Sequence, residues 1–343
     1  MTVDDRRHAA YPRGWRVLAG GLVAALAFGY ASLGVTAQDA SPAASPVAGD
    51  CVAPELPPGT PTPMEEGSPE AEMDMASPMA EASPVAEEAP VAPEAPVGTP
   101  AEGAEAEEIT AAVQNLISCV NGGNVEGTVA LMTTDFMMGE FGTGNPYDVV
   151  MFLEGFSFGE VTIDNPLTYE DGSVSADVQY MGSEYQITKE RFILVDDGGT
   201  WKINDSPVQT PEFDGDVSVI GVLLGENEDG SYYITPNSAT DPEGPALMLH
   251  GVNEGVEAHE LVALGLPEGM DPSALLDEEA SEETFAEVVF YGQISLEPGE
   301  QGDLLLVGLP VGVVTLVCFF PSPEGAPHVA MGMISQIEIT AAP

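Results

Sequence analysis

The sequence predicts a multidomain chain in which an α+β unit over residues 105–212 is followed by an all-β sandwich over 213–343. Three observations carry this expectation. Apolar residues recur at helical spacing over 109–120 and again over 125–132. From Phe158 onward the spacing changes to alternation and short apolar runs, the period of strands. Beyond residue 213 these runs are separated by clusters of Gly, Pro, Asn and Asp and by a polar stretch, Pro267 to Glu283, with room for one short helix at Ser273–Leu276.

The chain opens with Arg6, Arg7, Arg13 and Arg16, then an apolar run from Val17 to Leu33, then the small residues of Val35-Thr36-Ala37. A basic stretch, an apolar core and a small-residue cleavage site are the order of a secretory signal, here residues 1–37. The rival is an uncleaved anchor, since about 20 apolar residues suffice to span a bilayer. Residues 38–104 repeat Ala, Pro, Ser and Glu in blocks such as "ASPMAEASPVAEEAPVAPEAPVGTP". Proline recurs too often for a helix and large apolar groups are too few for a core, so a disordered linker is expected.

In the α+β unit, Ile109, Val113, Leu116, Ile117 and Val120 share one helical face, and Asn121-Gly122-Gly123-Asn124 ends it. A second helix is expected over Val125 to Met132 and a third near Tyr147 to Leu153. Val174, Ala176, Val178 and Tyr180 alternate as a strand, followed by Tyr185 and Ile187, then Phe192 to Val195. The turn Asp196-Asp197-Gly198-Gly199 leads to a last strand at Trp201 and Ile203. The segments "AVQNLISCVNGGNVEGTVALMTTDF" and "KERFILVDDGGTWKINDSPV" resemble the nuclear transport factor 2-like, or SnoaL-like, superfamily. That resemblance implies a cystatin-like cone, a curled sheet wrapped on helices, holding a small ligand, an active site or neither. The unit has no histidine, and nothing in the spacing of Asp164, Asp177, Tyr169 and Tyr180 selects a general base, so no enzyme is expected.

The sandwich reads as six to eight short strands: Val217 to Leu224, Tyr232 to Ile234, Ala246 to Leu249, Leu261 to Leu266, Phe285 to Ile294, Leu304 to Leu306, Val313 to Phe320 and Met333 to Ile339. It holds His250, His259 and His328, together with Cys318, Met331 and Met333. Imidazole, thiolate and thioether together are the donor set of copper. "NEGVEAHELVALGL" and "VVTLVCFFPSPEGAPHVAMGM" resemble the cupredoxin family, an all-β Greek-key sandwich. The resemblance implies His259, Cys318, His328 and Met333 as metal ligands, with Met331 as the alternative axial donor and His250 less well placed. Nine residues separate Cys318 from His328, more than the family pattern has. Either the loop folds back to present both ligands, or Cys318 drops out and the remaining set suits Cu(I) transport.

Three cysteines leave an odd thiol: Cys119 either pairs with Cys51 or stays a small buried hydrophobe. The formal net charge is -50, and beyond residue 37 the cations are Lys189, Arg191 and Lys202. Such a field excludes nucleic acid and anionic lipid and favours a basic redox partner protein. The expectation is a secreted or extracytoplasmic, bacterial-type copper protein for electron transfer or copper handling. The alternative is a metal-free interaction or ligand-binding protein using both units as scaffolds.

Overall fold

A computed structural model describes residues 51–56, 97–153, 155–227, 229–242, 244–267, 269–270, 274–275, 287–323 and 325–341. The expected signal segment and most of the expected linker lie outside them. Among the described residues no helix is long and apolar enough to cross a membrane.

Helix α1 (Ala104–Asn121) buries Ile109, Val113, Leu116 and Ile117, the stripe set by its spacing. Gly123 follows at φ 66°, a turn conformation that suits glycine. Asn124 then caps α2 (Val125–Ala130), its Oδ1 accepting from Gly127 N at 3.0 Å. Met132, expected inside this helix, lies beyond it in a bridge to Ile203. A helix without a clear apolar stripe, α3 (Thr134–Phe141), starts on the Thr133 cap (Phe136 N to Oγ1, 3.1 Å) and stops at Gly142. Then comes α4 (Pro146–Leu153). The strands that follow are β2 (Val161–Thr168), β3 (Val174–Met181), β4 (Gln186–Asp196), β5 (Trp201–Asp205) and β6 (Val208–Gln209), all paired antiparallel. Val174, Ala176, Val178, Tyr180, Phe192 and Leu194 face the helices and close the first core.

Two stretches of the expected linker belong to this unit. Strand β1 (Thr99–Pro100) pairs with β2. Cys51, Ala53 and Leu56 pack on the first core, and Cys51 forms a disulfide with Cys119. The side chain of Asn115 holds both backbone groups of Val52, at 2.8 and 2.7 Å. The composition of 38–104 hides these anchors because each is only a few residues long.

The second unit packs two sheets face to face. One contains β7 (Val217–Glu226), β8 (Tyr232–Pro236), β10 (Ala246–Asn253) and β13 (Gln301–Val307). The other contains β9 (Thr240–Pro242), β11 (His259–Gly265), β12 (Val289–Leu296), β14 (Gly312–Val317) and β15 (Ile334–Thr340). Leu224, Leu249, Leu304 and Leu306 of the first sheet meet Leu261, Leu316 and Ile337 of the second in a closed apolar core. The first sheet does not stop at the unit boundary. Strand β13 pairs with β4 through Leu305–Ile187 and Leu306–Gln186, so one ten-stranded sheet runs through both units.

Candidate metal centre

Several strands begin or end at one end of the sandwich, and the candidate ligands sit on those termini. His259 is the first residue of β11, Cys318 directly follows β14, and Met333 directly precedes β15. His328 opens a single 3-10 turn, His328–Met331. The long loop after Cys318 folds back on itself. Pro321 bridges Pro327, Ser322 N donates to Ala326 O (2.7 Å), and His328 N donates to Phe320 O (2.8 Å). The excursion returns His328 to Cys318, and Val329 N donates to Cys318 O at 2.8 Å. Of the two readings of that loop, the structure takes the one that keeps both side chains together.

His259, Cys318 and His328 form the group of candidate metal-holding side chains among the described residues, all three buried. Nδ1 of His259 lies 3.1 Å from Nδ1 of His328, and Cys318 Sγ lies 3.4 Å from the same His328 atom. Bonds of about 2.0 Å to nitrogen and about 2.3 Å to sulfur let one ion span both separations. Met333 is fully buried in the same core as Cys318, and its N–H donates to His328 O at 3.0 Å. Gly332, at φ 99°, makes the reversal that separates it from the partly buried Met331. His250 is elsewhere: it projects from β10 and pairs with Asp303 at 2.7 Å.

The far sides of both imidazoles face carboxylates. His328 Nε2 bonds Glu257 Oε2 at 3.2 Å, and Tyr232 donates to Glu257 while its ring stacks on His328, with centroids 4.1 Å apart. His259 Nε2 sits 3.0 Å from Glu226 Oε1, within ion-pair distance but off the line of a hydrogen bond. Asn253, fully buried, ties the β10–β11 turn by donating to Glu257 O and Leu296 O. Sequence reasoning missed Glu226, Tyr232, Asn253 and Glu257. The one signal was "NEGVEAHE", where Glu257 stands two residues before His259.

Burial decides the protonation states. Desolvation holds His259 below its ordinary value although Glu226 opposes it, and burial with the neighbouring His259 takes His328 down to about 3. Burial and the nearby Glu260 push the Cys318 thiol well up. At neutral pH the two rings are neutral and the thiol holds its proton. Soft donors in a dry, preformed group of this kind fit copper.

Glu260, next to His259, is fully buried and raised to about 7 by desolvation, although Phe319 N donates to its Oε1 at 2.7 Å. Its Oε2 has no partner. Between its ordinary value and about 7 the folded state keeps a proton that the unfolded chain has lost, so this group lowers stability as pH rises through that window. In the metal-free protein, Glu260→Gln should gain on wild type by about 3 kcal/mol between pH 4 and pH 8. Denaturant unfolding at both pH values measures it; an unchanged difference would mean that the carboxylate is solvated.

In the first unit, Asp177 is partly desolvated, yet hydrogen bonds from Arg191 (2.7 Å) and Asn165 (3.1 Å) hold it below the usual carboxylate range. Tyr169 bonds Ser175, and Tyr180 donates to Glu190 at 3.1 Å. Asp164 faces Asp177 across the β2–β3 ladder.

No family model matches the sequence, and no curated protein matches it. Solved structures do. The dithionite-reduced auracyanin of the photosynthetic bacterium Roseiflexus castenholzii aligns at 21% identity over 38% of this chain and 100% of its own, with a TM-score of 0.26. Auracyanin A, a blue copper protein of Chloroflexus aurantiacus, aligns at 10% identity over 36% of this chain and 99% of its own, TM-score 0.25. A multi-copper oxidase of Pseudomonas thermotolerans aligns at 12% identity over 37% of this chain and 29% of its own, TM-score 0.23.

Proposed function

We propose that this chain is an exported copper protein whose cupredoxin-like sandwich exchanges single electrons or hands on copper. The observation that carries the reading is the convergence of His259 Nδ1, His328 Nδ1 and Cys318 Sγ in one buried pocket. These three side chains would hold the ion, and Met333, buried in the same core, would be a further, weaker soft donor. Bound copper supplies a one-electron couple. The chain's own part is to keep water out and to hold the donors in place. The backbone bonds of His328 and Val329 to the strand end at Cys318 and Phe320 lock the ligand loop, so little would move as the charge changes. The Tyr232 ring and the Glu257 carboxylate cover the outer edge of His328, which gives any docking partner an acidic approach. A basic partner protein fits that approach and the net charge of -50.

The disulfide Cys51–Cys119 supports an oxidising compartment and therefore the secretory signal. For the first unit, the order of four helices followed by an antiparallel sheet supports a SnoaL-like scaffold. Metal analysis of the mature protein, expressed with copper, tests the main reading. One copper per chain with strong visible thiolate-to-copper absorption is expected, and Cys318→Ser should lose the absorption. A protein that binds no copper, or binds it without any effect of Cys318→Ser, would remove the assignment.

A further inference from the structure

In this end of the sandwich the imidazoles are gripped from behind by charge. Glu257 Oε2 meets His328 Nε2 at 3.2 Å, and Glu226 Oε1 stands 3.0 Å from His259 Nε2. Both carboxylates are themselves anchored. Glu226 accepts from the backbone N–H groups of Val256 (2.9 Å) and Glu257 (3.1 Å), and Gly255 leaves no room for a side chain beside it. Glu257 accepts from Tyr232, and its own carbonyl is fixed by Asn253. A carboxylate behind an imidazole keeps the proton on Nε2 and leaves Nδ1 a bare lone pair. Here both Nδ1 atoms then face each other at 3.1 Å with Cys318 Sγ beside them. Facing lone pairs repel, and a cation between them removes the repulsion.

We propose that Glu226 and Glu257 are positioning residues for the metal: they select the Nε2–H form of His259 and His328, aim both Nδ1 atoms at Cys318, and weight the pocket toward the more highly charged ion, Cu(II) over Cu(I). The inference rests on the copper reading above and deepens it. Two negative charges one ring away stabilise the second positive charge of Cu(II) more than they stabilise the monovalent ion. A neutral amide in place of Glu257 keeps the hydrogen bond to His328 and loses that preference.

The test uses the full mature chain, with Cu(II) alone and Cu(I) alone, each titrated against a chelator selective for that ion. Glu257→Gln should weaken Cu(II) by about tenfold and Cu(I) by clearly less. Each tenfold change in the ratio of the two affinities raises the potential by about 59 mV. Glu226→Gln should act in the same direction. Equal loss for both ions would mark a merely structural role and overturn the preference, as would no loss at all. Nitrogen-15 spectra of the metal-free protein supply the second readout. Wild type and Glu257→Gln should show His328 protonated on Nε2, and Glu257→Leu should lose that bias. A wild type with His328 protonated on Nδ1 would overturn the positioning role. Failure of wild type to bind copper would sink the copper reading, while the nitrogen-15 arm would still decide whether Glu257 orients the ring.

Discussion

Copper should raise the unfolding temperature of this protein by on the order of 10 °C, and Cys318→Ala should abolish that rise. A ligand that binds the folded state alone stabilises it by about 4 kcal/mol when its free concentration is a thousand times its dissociation constant. For a chain of this size that energy corresponds to a shift of roughly that magnitude. Cys318 is the donor whose loss costs most, because the thiolate is the anionic ligand in the group and sits buried where water cannot replace it. In the metal-free protein the same substitution removes one small buried group and should cost only about 1 kcal/mol. The copper-dependent difference therefore separates ligand from packing. A pH series adds a second check. Burial and Glu260 keep the Cys318 thiol protonated at neutral pH, while both rings are already neutral. Binding must then expel one proton, so affinity should rise about tenfold per pH unit and a weakly buffered titration should acidify. A copper-induced shift that survives Cys318→Ala, or an affinity flat with pH, would show that sulfur is not a ligand.

Reducing the disulfide should destabilise the first unit by about 4 kcal/mol. Cys51 and Cys119 are 68 residues apart, and closing a loop of that length removes about this much entropy from the unfolded chain. The bridge also holds Ala53 and Leu56 on the first core, so its loss frees the segment from Cys51 onward. Thermal unfolding of a Cys51→Ser/Cys119→Ser double variant, followed at Trp201 beside the packed helices, measures the effect. The copper-linked shift should stay, because Cys318 is the free thiol. Unchanged stability would mean that α1 and the Asn115 bonds hold Cys51 in place without the bridge.

The sequence alone determined the parts that depend on local chemistry. The α1 stripe, the strand runs of both units and the donor types of the pocket are visible because periodicity and side-chain chemistry act over a few residues. His259, Cys318 and His328 could be named because three of the four histidines lie in the last third beside Cys318 and the segments around them resemble cupredoxins. Other features waited for the fold. Helix α3 is set by the Thr133 cap rather than by an apolar stripe. The anchors at 51–56 and 99–100 are short pieces inside a low-complexity stretch. The pairing of β13 with β4 joins residues more than a hundred positions apart, which no local pattern encodes. The same holds for the pocket's outer layer. Glu226 and Tyr232 come from the ends of β7 and β8 and Glu257 from the turn between β10 and β11, and among so many carboxylates only the place of Glu257 two residues before His259 shows in the sequence. Only the tertiary structure decided that the long loop from Cys318 turns back at Pro321 and Pro327. That turn is set by backbone bonds inside the loop, Ser322 N to Ala326 O and His328 N to Phe320 O, which exist only once the loop has folded, and it brings His328 within 3.4 Å of the sulfur.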